Sequence, residues 1–154
     1  MDRSFVEQNR ASTERLKKLV KRLGDQGMSH KVGADWTVAV ALAHLAFWDR
    51  RVQFVLDRTE RDGRLSAVEL DTVLNDLLLP TWQAIPAKEA ARLAVETAEA
   101  LDKRLAAFPE ALLEQVKAHN PRWVNRSVHR YEHLDEVDQA LKNYRIKKTD
   151  FGSQ

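Results

Sequence analysis

Apolar residues recur at three- and four-residue steps over four long stretches of this chain, and strict alternation persists nowhere, so the pattern predicts helices and almost no sheet. The first stretch runs from about Arg3 to Leu23. Its inner stripe is Val6, Leu16, Leu19, Val20 and Leu23, and Gly24 is a natural stop. Residues 25–34, with Gly27 and Gly33, read as a loop. Asp35 reads as the N-cap of the second stretch, where Val38, Ala41, Leu42, Leu45, Trp48, Val52, Val55 and Leu56 form a wide stripe. Residues 58–86 read as a long connection. It opens with Arg61-Asp62-Gly63-Arg64 and carries a short helix from Ser66 to Leu79, stopped by Pro80. Pro86 and Pro109 bracket a third helix from Ala87 to Ala107, and a brief helix from Glu110 to Ala118 follows. After Asn120-Pro121 the fourth helix is expected to reach about Tyr144, with a loose tail from Lys147. The fold class expected is all-α: a four-helix bundle with additional short helices in its long connections.

Composition narrows this picture. The 154 residues lie near the modal size of one domain, so a single domain over residues 1–154 is expected. With 44% hydrophobic and 31% charged residues, and no apolar run of spanning length, a membrane protein is not expected. The amino terminus lacks the apolar core of a signal peptide, which makes the cytoplasm the expected compartment. A formal charge of +2 comes from 25 basic and 23 acidic residues. The basic clusters, Lys17-Lys18 with Lys21-Arg22 and Lys142 with Arg145, Lys147 and Lys148, are short enough to be solvated faces, so no nucleic-acid partner is expected. There is no cysteine, hence no disulfide and no thiolate of the chain's own; thiol chemistry would need an external thiol.

Candidate chemistry rests on three histidines. His129 and His133 are four residues apart in Ser127-Val128-His129-Arg130-Tyr131-Glu132-His133-Leu134, so both rings leave one helix face about one turn apart and can grip one ion. At about 100° per residue, His133 and His129 fall near −100° and −140° from Leu134, and His44 near −100° from Leu45. All three flank an apolar stripe, where an ion in an edge cleft would need them. Packing is the competing reading, since a lone histidine beside a stripe is more often half-buried than ligating. His30 and His119 read as surface or capping residues. A zincin motif fails because Arg130 follows His129, and a di-iron motif fails because Ala41, Arg126 and Arg130 stand three residues before the histidines. Glu132, Asp135, Glu136 and Asp138 read as a solvated face.

Two segments carry a family likeness. Asp35-Trp36-Thr37-Val38, followed by Leu42-Ala43-His44-Leu45-Ala46-Phe47-Trp48-Asp49-Arg50-Arg51, resembles the second helix of the DinB-like superfamily. The likeness is greatest to proteins similar to the amino-terminal domain of mycothiol-dependent maleylpyruvate isomerase. Asn125-Arg126-Ser127-Val128-His129-Arg130-Tyr131-Glu132-His133-Leu134-Asp135-Glu136 resembles that family's last helix. The resemblance implies a bundle, often a homodimer, in which His44, His129 and His133 hold zinc, nickel or another divalent ion. It further implies a small-molecule electrophile and a low-molecular-weight thiol of the mycothiol or bacillithiol type, used by a transferase or isomerase. Arg126, one turn before His129, is the cofactor-site residue placed to hold a substrate carboxylate, and Trp48, one turn after His44, the one placed to wall the pocket, although by themselves they read as a surface charge and a core residue. No second domain like that of the complete isomerase is expected, which puts that particular reaction in doubt. A non-catalytic metal-binding or stress-associated bundle is the alternative.

Overall fold

The computed structural model describes the backbone of residues 1–151 and the side chains of residues 1–145. In chain order the elements are α1 (Ser4–Arg22), α2 (Asp25–Met28), β1 (Lys31–Val32), β2 (Trp36–Thr37), α3 (Val38–Asp62), α4 (Leu74–Gln83), α5 (Ala87–Ala107), α6 (Glu110–His119), α7 (Pro121–Val124) and α8 (Ser127–Phe151). The long helices α1, α3, α5 and α8 form an all-α four-helix bundle. α3 packs along α5, α1 packs on α5 and α8, and α8 closes back on α3. Two adjacent apolar clusters fill it. One holds Leu16, Leu42, Leu45, Ala94 and Leu134; the other holds Phe5, Val52, Leu56, Leu101, Leu105 and Trp123.

Polar residues occupy the step between the clusters on every long helix: Asn9, Ser12 and Thr13 on α1, Asp49 on α3, Asp102 on α5, and Arg126 and Arg130 at the start of α8. Arg130 Nε and Nη2 donate to Asp49 Oδ2 at 3.1 and 3.0 Å, and its Nη1 donates to Asp102 Oδ1 at 2.8 Å and Thr13 Oγ1 at 2.9 Å. Arg126 Nε donates to the other Asp49 oxygen at 2.8 Å. Asn9 Oδ1 accepts the backbone N–H groups of Arg126 and Ser127 at 2.8 and 3.0 Å, satisfying donors that the first turn of α8 leaves unpaired. The inner face of α1 is therefore polar around Asn9 to Thr13, and its first apolar anchor is the buried Phe5, with Val6 only half-buried.

Element boundaries differ from expectation in six places. Residues 25–34, expected as loop, hold the one-turn α2 and the two-residue β1. The cap of α3 is Thr37, whose Oγ1 accepts the Val40 N–H at 3.2 Å, and not Asp35. Asp35 is displaced because Val32 and Trp36 pair in a small antiparallel ladder whose turn uses Gly33 at φ 72°. α3 also runs on past residue 58 to Asp62, where Gly63 at φ 66° closes it. The short helix of the long connection is Leu74–Gln83 with Pro80 inside it, and the expected span of 66–79 is wrong for residues 66–73. Those residues form an extended strap, held by Arg51 Nη1 donating to Val68 O at 2.7 Å and by Leu65, Ala67 and Val68 packing on the second cluster. The fourth helix is split, because Asn120 caps the one-turn α7 before α8 begins at Ser127. Beyond Tyr144, α8 continues to Phe151, so the loose tail expected from Lys147 is overturned that far; residues 152–154 lie outside those described.

Candidate metal centre

Two turns of α8 and one of α3 bring the three histidines together. His44 Nε2 lies 3.1 Å from His129 Nε2 and 3.0 Å from His133 Nε2, and one ligand atom from each ring falls within 4.8 Å of the others. His44 is buried, while His129 and His133 are half-buried. In an ideal tetrahedral site with bonds of about 2.0–2.1 Å, ligand nitrogens stand about 3.3–3.4 Å apart, and the two distances from His44 Nε2 fall within a few tenths of an ångström of that value.

Hydrogen bonds to the far nitrogens decide where His44 and His129 carry their protons. Trp48 Nε1 is a donor only, and it gives its proton to Asn75 Oδ1 at 2.9 Å. That oxygen is thereby identified as the acceptor, and His44 Nδ1, 3.1 Å away, must be its second donor. His44 Nε2 is left with a lone pair. His133 Nδ1 lies 3.3 Å from Glu136 Oε2, at ion-pair distance, but makes no hydrogen bond, so its proton is not fixed by this contact. Its Nε2 stands 3.0 Å from the His44 Nε2 lone pair, which accepts a proton from it in one tautomer and leaves room for a shared cation in the other. His129 differs. Arg126 Nη2, which can only donate, lies 3.0 Å from His129 Nδ1 and favours the opposite tautomer, with the proton on Nε2. Ligation through His129 Nε2 therefore requires Arg126 to give up this contact.

Electrostatics agree with neutral rings. Burial, then the neighbouring His133, pushes His44 from its ordinary 6.5 down to about 3. Burial and then the Arg126 cation depress His129 strongly. Burial also lowers His133, against the opposing pull of Glu136. Each ring is thus available as a ligand at neutral pH. The sign of the resulting pH effect on metal-free protein follows directly. Between 6.5 and the depressed values the unfolded chain binds more protons than the folded one, so stability is complete above about pH 6.5 and is lost as pH falls toward 3. We expect the urea midpoint of chelator-treated protein to fall steadily from pH 7 to pH 4.5, with a slope of up to about 1.4 kcal/mol per pH unit per histidine. In the variant with all three histidines replaced by glutamine, most of that slope should vanish; an equal slope in both proteins would refute the assignment.

A cavity of about 300 Å³ opens beside the triad. Trp36 and Trp82 wall the rings. Trp36 stacks on His133 with centroids 5.8 Å apart, and Trp82 meets His44 edge-on at 5.4 Å. Trp48 and Arg126 both line the cavity, as their positions one turn from the histidines suggested. Arg126 is not a surface charge, however: it is buried, and its guanidinium is engaged by Asp49, by the Arg122 carbonyl at 2.9 Å and by His129. Trp48 is buried as a core residue would be, yet its indole N–H serves the site through Asn75. His30 stacks on Tyr144, and His119 pairs with Glu69; neither joins the triad. Asp135 and Asp138 pair with Arg15, and Glu132 with Arg122, so these acids do lie on a solvated, ion-paired face.

Asn75, Arg51, Asp49 and Arg130 were missed as site residues. For Asp49 and Arg130 the signal existed, since they stand only about 40° from Leu45 and from Leu134, at core phase. A charge on each of two helices at core phase points to a buried pair. Asn75 carried no such mark, because it belongs to the long connection whose helix was misplaced.

No helix among the described residues is long and apolar enough to cross a membrane. No curated protein and no solved structure shows a significant match to the chain. Residues 9–140, a span that holds all three histidines, match the mycothiol maleylpyruvate isomerase N-terminal domain, and the chain belongs to that DinB-like family.

Proposed function

We propose that His44, His129 and His133 hold one divalent ion, zinc or nickel, and that the protein uses it to transfer a low-molecular-weight thiol of the mycothiol type to an electrophilic small molecule. The observation that carries this reading is the convergence of the three imidazoles, with His44 Nε2 3.1 Å from His129 Nε2 and 3.0 Å from His133 Nε2, beside an open cavity. An ion held by His44, His129 and His133 would favour thiolate over thiol and so supply a nucleophilic external thiol at neutral pH. The chain's own part is positional. Asn75 orients His44 through its Nδ1 atom, and Trp36 and Trp82 pack against the rings of His133 and His44. The absence of cysteine leaves the thiol to the substrate side. Family membership supports the same thiol class; a homodimer acting in the cytoplasm belongs to the same proposal.

Protein purified without an affinity tag should contain close to one zinc or nickel per chain by elemental analysis. Loaded protein should consume mycothiol in the presence of a model electrophile such as a chlorodinitrobenzene, and chelator-treated protein should not. Metal content near one with no thiol consumption would favour the non-catalytic alternative. No metal, and no zinc uptake on titration, would defeat the metal-dependent reading and leave a stress-associated bundle whose histidines hold none.

A further inference from the structure

The hydrogen bonds around the triad run in one direction. Arg126 is held on two sides, with Nε donating to Asp49 Oδ1 at 2.8 Å and Nη1 to the Arg122 carbonyl at 2.9 Å. Its planar fork thereby aims Nη2 at His129 Nδ1, 3.0 Å away. A guanidinium N–H only donates, so Nδ1 is the acceptor and the neutral ring carries its one proton on Nε2. That proton faces His44 Nε2 at 3.1 Å, whose lone pair is free because Asn75 Oδ1 takes the His44 Nδ1 proton at 3.1 Å. Arg126, His129, His44 and Asn75 form an unbroken relay from a buried cation to an amide oxygen, and the Trp48 indole N–H takes the second lone pair of that oxygen at 2.9 Å.

The relay satisfies His129 and His44 through the two Nε2 atoms that an ion requires. A ligating histidine normally donates its far N–H to a carboxylate, a carbonyl or water, which fixes the ligand tautomer. His44 obeys this rule through Asn75. His129 inverts it, because its far nitrogen faces a donor that Asp49 locks in place, with the Arg126 and Asp49 side chains only 5% and 2% exposed. An ion on His129 Nε2 requires the ring proton to move to Nδ1, where two N–H groups would oppose each other at 3.0 Å. The guanidinium must then withdraw from a position held by both Asp49 and the Arg122 carbonyl. His133 is free of this constraint, since its Nδ1 has no hydrogen-bond partner. We infer that Arg126 is a positioning residue that competes with the metal for His129, holding the centre closed by hydrogen bonds and keeping its ion exchangeable. The inference rests on the metal reading above and goes beyond it: a residue outside the ligand set limits the affinity, so uptake displaces Arg126 and release restores the relay.

Two measurements on full-length protein test this. In the first, the imidazole nitrogens of chelator-treated and zinc-loaded wild type are read by long-range proton–nitrogen correlation, the His129 signals being those lost in His129→Gln. The His129 proton is expected on Nε2 without zinc and on Nδ1 with it. In the second, zinc affinity is measured by competition with a chelator for wild type and for Arg126→Gln, whose side-chain oxygen can accept the Nδ1 proton. At least tenfold tighter binding is expected in the variant, the scale on which partners of ligating histidines act. A merely structural role for Arg126 would weaken binding instead. A His129 proton on Nδ1 in chelator-treated wild type overturns the inference, because a gain in affinity would then come from the removed charge alone; so does a proton that stays on Nε2 when zinc is bound. A folded Arg126→Gln variant that binds zinc no more tightly than wild type also overturns it and leaves the metal centre standing. Zinc binding by neither protein strikes the metal reading and the inference together, which sets the two failures apart. If Arg126→Gln does not fold by circular dichroism, the nitrogen spectrum of the chelator-treated wild type decides, a proton on Nε2 supporting the inference and one on Nδ1 overturning it.

Discussion

Alanine in place of His44, His129 or His133 is expected to lower zinc affinity by more than about a hundredfold, because removing even the partners that orient metal ligands costs roughly ten- to a hundredfold. The three rings supply the three converging ligand atoms, so each loss removes a bond from the ion. The bundle should stay folded in His133→Ala, since this ring is half-buried beside the stripe and its removal opens no large core void. Asn75→Leu should produce a smaller loss, of about tenfold, by releasing the Nδ1 proton of His44 from its acceptor. Occupancy should also fall with pH, because protons compete for the same lone pairs. Isothermal titration decides the matter: wild type and all three alanine variants binding zinc equally would remove the metal centre.

The second large effect belongs to Asp49. Its two oxygens hold Arg126 at 2.8 Å and Arg130 at 3.0 Å, with side-chain exposures of 2%, 5% and 0% for the three residues. Asp49→Ala leaves Arg126 without its carboxylate and Arg130 with Asp102 alone, both away from water. The expected loss is about 3–5 kcal/mol, a large share of the stability of a domain this size. Asp49→Asn keeps the shape and one acceptor oxygen, so it should fall between the two. Urea denaturation of both variants measures this, and a loss below about 1 kcal/mol for Asp49→Ala would show that the buried charges are satisfied some other way. The same variants should disturb zinc binding, because the side chain that Asp49 holds by Nε is the one that touches His129 by Nη2.

How much of this was legible in the chain depended on the range of the interaction. The i, i+4 spacing of His129 and His133 placed both on one helix face, and the apolar period placed His44 beside a stripe; the structure joins the three rings at the edge those phases indicate. The expected helix from Ala87 to Ala107 matches α5 at both ends because Pro86 and Pro109 act on their own neighbours, whatever surrounds them. By contrast, the start of α3 was read from Asp35, a good cap in isolation, yet a two-residue ladder between Val32 and Trp36 moved the cap to Thr37. The short helix of the connection was misplaced because Arg51, from another helix, holds the Val68 carbonyl and keeps that segment extended.

By itself the sequence determined the helices, their apolar faces, the absence of any thiol and the phase of the three histidines, since these follow from local periodicity and residue type. Only the tertiary structure decided that Arg126 is buried, that Asn75 sets the tautomer of His44, and that Asn9 caps a helix whose start lies 117 residues away. Each of these depends on which groups are left unpaired when the helices pack, and the satisfaction of a buried charge or donor is set by neighbours from other elements, which no local pattern encodes.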